Sequence, residues 1–145
     1  MCFTDLTKTA LKVSFNAHKE QVDKSGMPYV YHPYRLAEQM DDEYSTCVAL
    51  LHDVVEDTDI TIEDLKEMGF PNEVLEAIAL VTHDDDTPYF DYVRQIKTNP
   101  IATAVKLADL QDNSNYERLE KVEIKDLHRL EKYREAKRIL TSKEV

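Results

Sequence analysis

From Leu50 to Thr58 the chain reads Leu-Leu-His-Asp-Val-Val-Glu-Asp-Thr, so that His52, Asp53, Glu56 and Asp57 fall within six consecutive positions. They close an apolar run, roughly 46–55, in which Val48, Ala49, Leu50, Leu51, Val54 and Val55 leave little of a helix free to face water. Burying that much negative charge without a counter-ion costs roughly several kcal/mol per ion. On one continuous helix His52 and Glu56 stand at i, i+4, and so do Asp53 and Asp57, which makes two adjacent polar ridges facing nearly the same way. A histidine capping a helix beside a solvated acidic face would suit an isolated His-Asp pair. With aliphatic residues on both sides, a divalent cation is the better account.

His32, standing before Pro33, and Asp109 offer further ligands. Together His32, His52, Asp53 and Asp109 would give a mixed nitrogen and oxygen site with coordination positions left for water and substrate. Such ligands suit Mn²⁺, Fe²⁺ or Zn²⁺ more than Ca²⁺, and imidazole argues against a dedicated Mg²⁺ cage. A structural zinc would want cysteines and a closed shell. An open position is what a hydrolase needs, because the ion acidifies water and polarises a phosphoryl oxygen. Glu56 and Asp57, one turn beyond, can orient that water or carry its proton.

The elements that must position these groups read as helices. Leu6, Ala10, Val13 and Ala17 recur at helical spacing over roughly 5–21, with His18 near the end as a packing or supporting residue. Gly26 and Pro28 mark the stretch 23–29 as a structured loop. Proline at the first helical position predicts a start at Pro33, for a helix over roughly 33–40, and the same device recurs at Pro88 and Pro100. The central helix is expected over about 44–56. Thr61 with Asp64 resembles a capping box, Ile60 with Leu65 a staple, and Gly69 a stop. Further helices are expected over 71–81, 88–97 and 100–113, and a charged surface helix over 122–140.

The 100–113 segment carries a predicted core stripe of Ile101, Ala104, Val105 and Ala108, with Ala102, Lys106, Asp109 and Asn113 on the next ridge. Lys106 either faces the pocket or pairs with a neighbouring acid. Lys24, in the Gly-Pro loop before His32, either meets a phosphate or is an exposed loop lysine.

With 145 residues, 42% of them hydrophobic, the chain is expected to form one domain, 1–145, able to bury a full core. Two glycines and five prolines disfavour a turn-rich β fold and favour an all-α one. A net charge of −11 argues against binding nucleic-acid backbones, which needs a basic face, and leaves anionic small molecules open through local lysines or a metal. Cys2 and Cys47 make no disulfide framework, and neither a membrane span nor a signal peptide is indicated, which together suggest a reducing, cytoplasmic setting. Oligomeric state leaves no signature.

His32-Pro33, His52-Asp53, the Glu56-Asp57-Thr58 extension and Lys106-Leu107-Ala108-Asp109 with Asn113 resemble the HD-domain family, specifically the hydrolase domain of RelA/SpoT proteins and the small alarmone hydrolases. The resemblance covers roughly residues 10 to 120. It implies an HD helical bundle of about seven to eight helices, usually with Mn²⁺, that removes pyrophosphate from the 3′ position of ppGpp and pppGpp. By position, His32, His52, Asp53 and Asp109 match that family's metal ligands, Glu56 and Asp57 its water-activating pair, and Lys24, Ser25 and Asn113 positions near its nucleotide. The resemblance does not extend to a synthetase domain, so synthesis is not expected.

One departure bears on the base. The family usually carries an arginine just before the position of Lys24, where it stacks on guanine; here Asp23 stands there. If Asp23 is what excludes guanine, Asp23→Arg should raise activity toward ppGpp. The reaction class does not depend on this residue. Other nucleotides therefore stay open, such as an adenine alarmone or NADPH, and so does a nucleotide-sensing module without turnover.

Overall fold

The structure is a computed structural model that describes residues 1–115 and 121–143; the last residues of the stretch resembling the HD family, 116–120, lie outside it. Its described secondary structure is helical, apart from one isolated bridge between Val22 and Pro28. Eight helices of six residues or more are joined by a single helical turn: α1 Asp5–His18, α2 Tyr31–Glu38, α3 Glu43–Leu51, the one-turn α4 Val54–Asp57, α5 Ile62–Glu67, α6 Asn72–Val81, α7 Tyr89–Ile96, α8 Pro100–Asn113 and α9 Ile124–Thr141.

Local chemistry sets most helix ends. Thr4 and Thr7 close a capping box on α1, Thr61 and Asp64 close another on α5, and Gly69, at φ 98°, takes the left-handed turn that ends α5. Asn99 caps α8 by accepting from the backbone N–H groups of Ile101 and Ala102 at 3.0 Å each, with Pro100 in the first turn. The other two prolines behave differently from expectation. α2 starts at Tyr31, so Pro33 is its third residue, and Pro88 is the N-cap of α7. Neither position needs an intrahelical donor, since first-turn N–H groups have no partner in the helix.

α3 is the centre. Every residue from Ser45 to Leu51 is buried, and the helix packs against α1, α2, α6 and α8. α8 lies against α2, α3, α6 and α9, which brings the His32 segment, the His52 segment and the Asp109 segment to one place. Along α8, Val105 and Ala108 are buried as expected and Ile101 packs on the core, while Ala104 is exposed and Ala102, Asp109 and Leu110 join the buried face. α9 packs through its C-terminal half, where Ala136, Ile139 and Leu140 are buried while Ile124 and Leu127 stay exposed.

The expected continuous helix over 44–56 is interrupted. His52 and Asp53 form a turn between α3 and α4, with Asp53 at φ −105°, ψ −2°. The imidazole Nδ1 of His52 lies 2.7 Å from the Ala49 carbonyl, the acceptor that an uninterrupted helix would offer to Asp53. The His52 side chain thus takes up the carbonyl that would continue the helix carrying it. α1 likewise stops at His18, short of Gln21, where the chain turns into the loop.

Candidate metal centre and its cavity

His32 enters from the first turn of α2, His52 and Asp53 from the α3–α4 turn, and Asp109 from the middle of α8. His32, His52 and Asp109 are buried, and one ligand atom from each lies within 4.8 Å of the others. His32 Nε2 is 2.9 Å from Asp109 Oδ1, and His52 Nε2 is 3.5 Å from the same oxygen. Asp53 Oδ2 stands 3.0 Å from His52 Nε2 and 3.9 Å from His32 Nε2 while accepting a hydrogen bond from the Tyr29 hydroxyl. All four residues expected to hold a cation therefore converge, with Asp53 at the edge of the tighter trio.

The free nitrogen of His52 tests whether the group fits a metal. Donation from Nδ1 to the Ala49 carbonyl leaves Nε2 with a lone pair, and Nε2 is fully buried. Despite its short distances to Asp53 and Asp109, it has no aligned hydrogen-bond partner among the described residues. A buried imidazole acceptor between two carboxylates is a poor arrangement for protons alone and a good one for a cation. The electrostatics agree. Burial works against the His52 imidazolium, yet Asp53 and Asp109 hold its pKa well above the ordinary value. Burial likewise opposes ionised Asp109, yet Lys106, His32 and His52 keep it well below the usual carboxylate range. Negative potential is concentrated here: without a cation it draws a proton onto the imidazoles, and a cation at the Nε2 lone pair would take that proton's place.

Beside the trio is a cavity of about 210 Å³ lined by His52, Asp53, Glu56, Asp57, Lys106, Asp109 and Asn113, with Tyr29, Val81, Tyr92 and Val105 completing the wall. Glu56 Oε1 accepts from the His83 backbone N–H at 2.7 Å, which ties α4 to the end of α6. Burial raises the carboxyl pKa values of Glu56 and of Asp57, and Asp53 adds to both. Two acids pushed toward neutrality suit proton transfer. Lys106 does both things its sequence position allowed: it lines the cavity and donates to Asp109 Oδ2 at 3.0 Å. The Asn113 amide donates to Asp109 Oδ1 at 3.0 Å, so it supports the centre from its place in the wall.

Lys24 and Ser25 are not brought to this cavity. Both are exposed on the loop before α2. Asp23 holds that loop, its Oδ1 accepting from the backbone N–H groups of Ser25 at 2.8 Å and Met27 at 3.0 Å.

Three contributors escaped the sequence reading. Asp112 Oδ2 lies 2.6 Å from His32 Nδ1, and Arg35 grips the same carboxylate through Nε and Nη2 at 2.9 Å each. Tyr29, on the loop, holds Asp53. Asp112 follows Asp109 by one turn on α8, a spacing that could have suggested a supporting role. Tyr29 and Arg35 gave no comparable signal. His18, read as a supporting residue, is fully buried with its ring edge-on to Tyr29 at 5.1 Å.

No family model matches the chain. A guanosine-3′,5′-bis(diphosphate) 3′-pyrophosphohydrolase from Mus musculus is 36% identical over 110 residues, covering 66% of this chain and 61% of that protein. A protein of the same activity name from Aquifex aeolicus is 34% identical over 108 residues, covering 66% of this chain and 15% of that protein. A GTP pyrophosphokinase from Myxococcus xanthus is 42% identical over 82 residues, covering 54% of this chain and 11% of that protein. The chain thus spans less than two thirds of the length of these curated relatives. A solved structure, described as a metazoan ortholog of SpoT that hydrolyzes ppGpp, superposes with a TM-score of 0.73 at 25% identity, over 97% of this chain and 85% of that one.

Proposed function

Taking as premise that the chain belongs to the HD-domain family, among the RelA/SpoT-type hydrolase domains, we propose that it is a metal-dependent nucleotide pyrophosphohydrolase whose substrate is guanosine-3′,5′-bis(diphosphate) or its pentaphosphate form. The observation that carries this reading is the buried, unpartnered Nε2 of His52, set between two carboxylates and beside a cavity that holds Glu56 and Asp57. His32, His52, Asp53 and Asp109 would hold a divalent ion, and their mix of imidazole and carboxylate favours Mn²⁺, then Fe²⁺ or Zn²⁺. When bound, that ion supplies Lewis acidity to a phosphoryl oxygen and acidity to water near neutral pH.

The remaining work falls to the chain's own side chains. Asp57 and Glu56, raised in pKa by burial, take a proton from the attacking water and return one to the leaving pyrophosphate. The His83 N–H fixes Glu56 in the cavity wall during that exchange. Lys106 presents a buried ammonium to a phosphate while Asp109 holds it in place. Tyr92 and Val81 close the apolar side of the cavity and exclude bulk water.

The test is pyrophosphate release from ppGpp with and without Mn²⁺, on wild type and on Asp57→Asn. Metal-dependent release that the variant loses by about a hundredfold or more supports the reading; tight ppGpp binding with no release would replace it with a sensor. Asp23, and the absence of Lys24 and Ser25 from the cavity lining, favour one alternative, the same hydrolysis on a different nucleotide. ATP-derived alarmones and NADPH belong in the same assay.

A further inference from the structure

α6 ends beside the cavity in a way that releases one donor. The Thr82 backbone N–H still bonds the Ile78 carbonyl at 3.1 Å, but Thr82 itself turns extended, at φ −86° and ψ 113°, so the next N–H leaves the helix. That N–H, of His83, goes to Glu56 Oε1 at 2.7 Å. By charge alone the place is wrong for a carboxylate, since the negative pole of α6 lies here and Asp84, Asp85 and Asp86 follow. Glu56 also sits on α4, a single turn too short to hold its own shape. Its position depends on the aim of one backbone group.

The His83 side chain sets that aim. Its Nε2 donates to the Thr87 carbonyl at 2.8 Å, across the turn that the Thr87 N–H closes onto the Asp84 carbonyl at 3.0 Å. Its ring lies nearly flat on Tyr92, with centroids 4.5 Å apart and planes 22° apart. Tyr92 lines the cavity and is fixed in turn, its hydroxyl donating to the Val81 carbonyl at 2.7 Å. Asp84, Asp85 and Asp86 are exposed, so burial does not shape this turn. One residue thus grips the connector with its ring and the acid with its backbone.

We propose that the His83 side chain is a positioning residue for Glu56: by clipping the connector onto Tyr92 and Thr87, it points the His83 N–H at the carboxyl and keeps Glu56 facing the cavity. The inference rests on the proposed hydrolase reading, in which Glu56 exchanges protons, and adds to it a residue that touches no reacting atom. Glu56 faces Asp53 and Asp57 from its own stretch of chain, Lys106 from α8 and Tyr92 from α7. Burial raises its pKa, and the His83 N–H is the largest influence in the opposite direction. A loosened connector should therefore move the limb of the kcat profile that reports Glu56 to higher pH.

His83→Ala removes the ring and its donor, His83→Gln keeps a donor for Thr87, and Glu56→Gln is made alone and together with His83→Ala. On the Mn²⁺-loaded protein, His83→Ala should lower kcat for ppGpp by about tenfold. KM and Mn²⁺ affinity should stay within about twofold of wild type and Tm within about 2 °C, and His83→Gln should recover most of kcat. With Glu56→Gln already present, His83→Ala should lower kcat no further. Independently of turnover, the amide proton of residue 83 in ¹H–¹⁵N spectra should follow the Glu56 titration in wild type and His83→Gln and cease to follow it in His83→Ala. An amide that still follows Glu56 in His83→Ala, or an equal loss of kcat in both Glu56 backgrounds, overturns the positioning role, and ppGpp turnover by wild type leaves the hydrolase reading standing. A fall in Tm with kcat and the amide unmoved makes His83 a packing residue and overturns the role as well. If wild type does not hydrolyse ppGpp while the amide loses its link to Glu56 in His83→Ala alone, the hydrolase reading fails and the positioning role stands.

Discussion

His32 and Asp112 are joined through the imidazole nitrogen not used at the centre: Nδ1 lies 2.6 Å from Asp112 Oδ2, while Nε2 faces Asp109. The carboxylate is itself locked by Arg35 at two points. Burial opposes a charged Asp112, yet His32 and Arg35 keep it well below the ordinary carboxylate range, so it is anionic and fixes the imidazole tautomer. Asp112→Ala is therefore expected to weaken Mn²⁺ binding by about ten- to a hundredfold. Arg35→Ala should weaken it less, since Asp112 keeps its bond to His32. Calorimetric Mn²⁺ titration checks both, and equal affinities in wild type and Asp112→Ala would remove the orienting role.

A second orienting contact runs from the Tyr29 hydroxyl to Asp53 Oδ2. In Tyr29→Phe the ring keeps its packing against His18 and His32, whose centroids lie 5.1 and 5.6 Å away. The loss is confined to one hydrogen bond to a charged group, so Mn²⁺ affinity should fall by about tenfold with Tm almost unchanged. A large drop in Tm with unchanged Mn²⁺ affinity would instead make Tyr29 a packing residue.

Much of the fold can be read locally, because many helix ends are written in adjacent residues. Thr61 with Asp64, Gly69, and Asn99 with Pro100 act through neighbours along the chain, and the structure ends those helices within a residue or two of expectation. At His52 and Asp53 the signal was different, since buried charge has few outlets and a cation is one of them; that His32 and Asp109 join them was implied by the resemblance to the HD-domain family. What sequence could not reveal depends on distance in space. Arg35 meets Asp112 across 77 positions, and Tyr29 meets Asp53 across 24. The break at His52 was hidden too, since it follows from an imidazole competing for a backbone carbonyl inside a run that reads as uniformly helical. On α8 the buried face takes in Ala102 and Asp109 beside the expected Val105 and Ala108 and leaves Ala104 outside, a choice set by which neighbouring helices pack on it.

Chelation should destabilise the fold. Asp53 and Asp109 are held close together, with imidazoles as their immediate counter-charges and Lys106 on Asp109. A cation that binds only the folded state adds about 2.7 kcal/mol at a free concentration a hundred times its Kd. For a chain of this length that is a rise in Tm of roughly 5–10 °C over the EDTA-treated protein. Asp109→Asn should abolish the Mn²⁺-dependent part of the rise. Identical melting with EDTA and with Mn²⁺ would mean that no ion is held there.

Cys47 should be silent to thiol reagents in the native protein. It is fully buried on α3, and burial first, then Glu43 and Cys2, pushes its thiol from 9.0 up to about 12. Cys2 is only partly buried. At about pH 8 a colorimetric thiol assay should count one fast thiol in the native state and two after denaturation. Because the folded-state pKa is raised, this contribution to stability is complete below 9.0 and is lost as pH rises toward about 12. Tm should fall through that window, and Cys47→Ala should flatten the fall while lowering Tm at neutral pH.

Asp23 has a structural duty that changes the outcome expected from its replacement. Its carboxylate pins the loop by accepting from the N–H groups of Ser25 and Met27, and its charge also favours the nearby Arg35 guanidinium. An arginine there would lose both acceptors and add a cation close to Arg35. Asp23→Arg is therefore expected to loosen the loop without raising activity toward ppGpp, whereas Asp23→Asn, which keeps the side-chain oxygen, should leave loop and activity close to wild type. Losing the two bonds costs about 1–3 kcal/mol locally. Trypsin reads this at Lys24, which is exposed on the loop: cleavage after Lys24 should speed up in Asp23→Ala and not in Asp23→Asn. A clear gain in ppGpp turnover by Asp23→Arg would show instead that guanine recognition, and not loop geometry, is what this carboxylate controls.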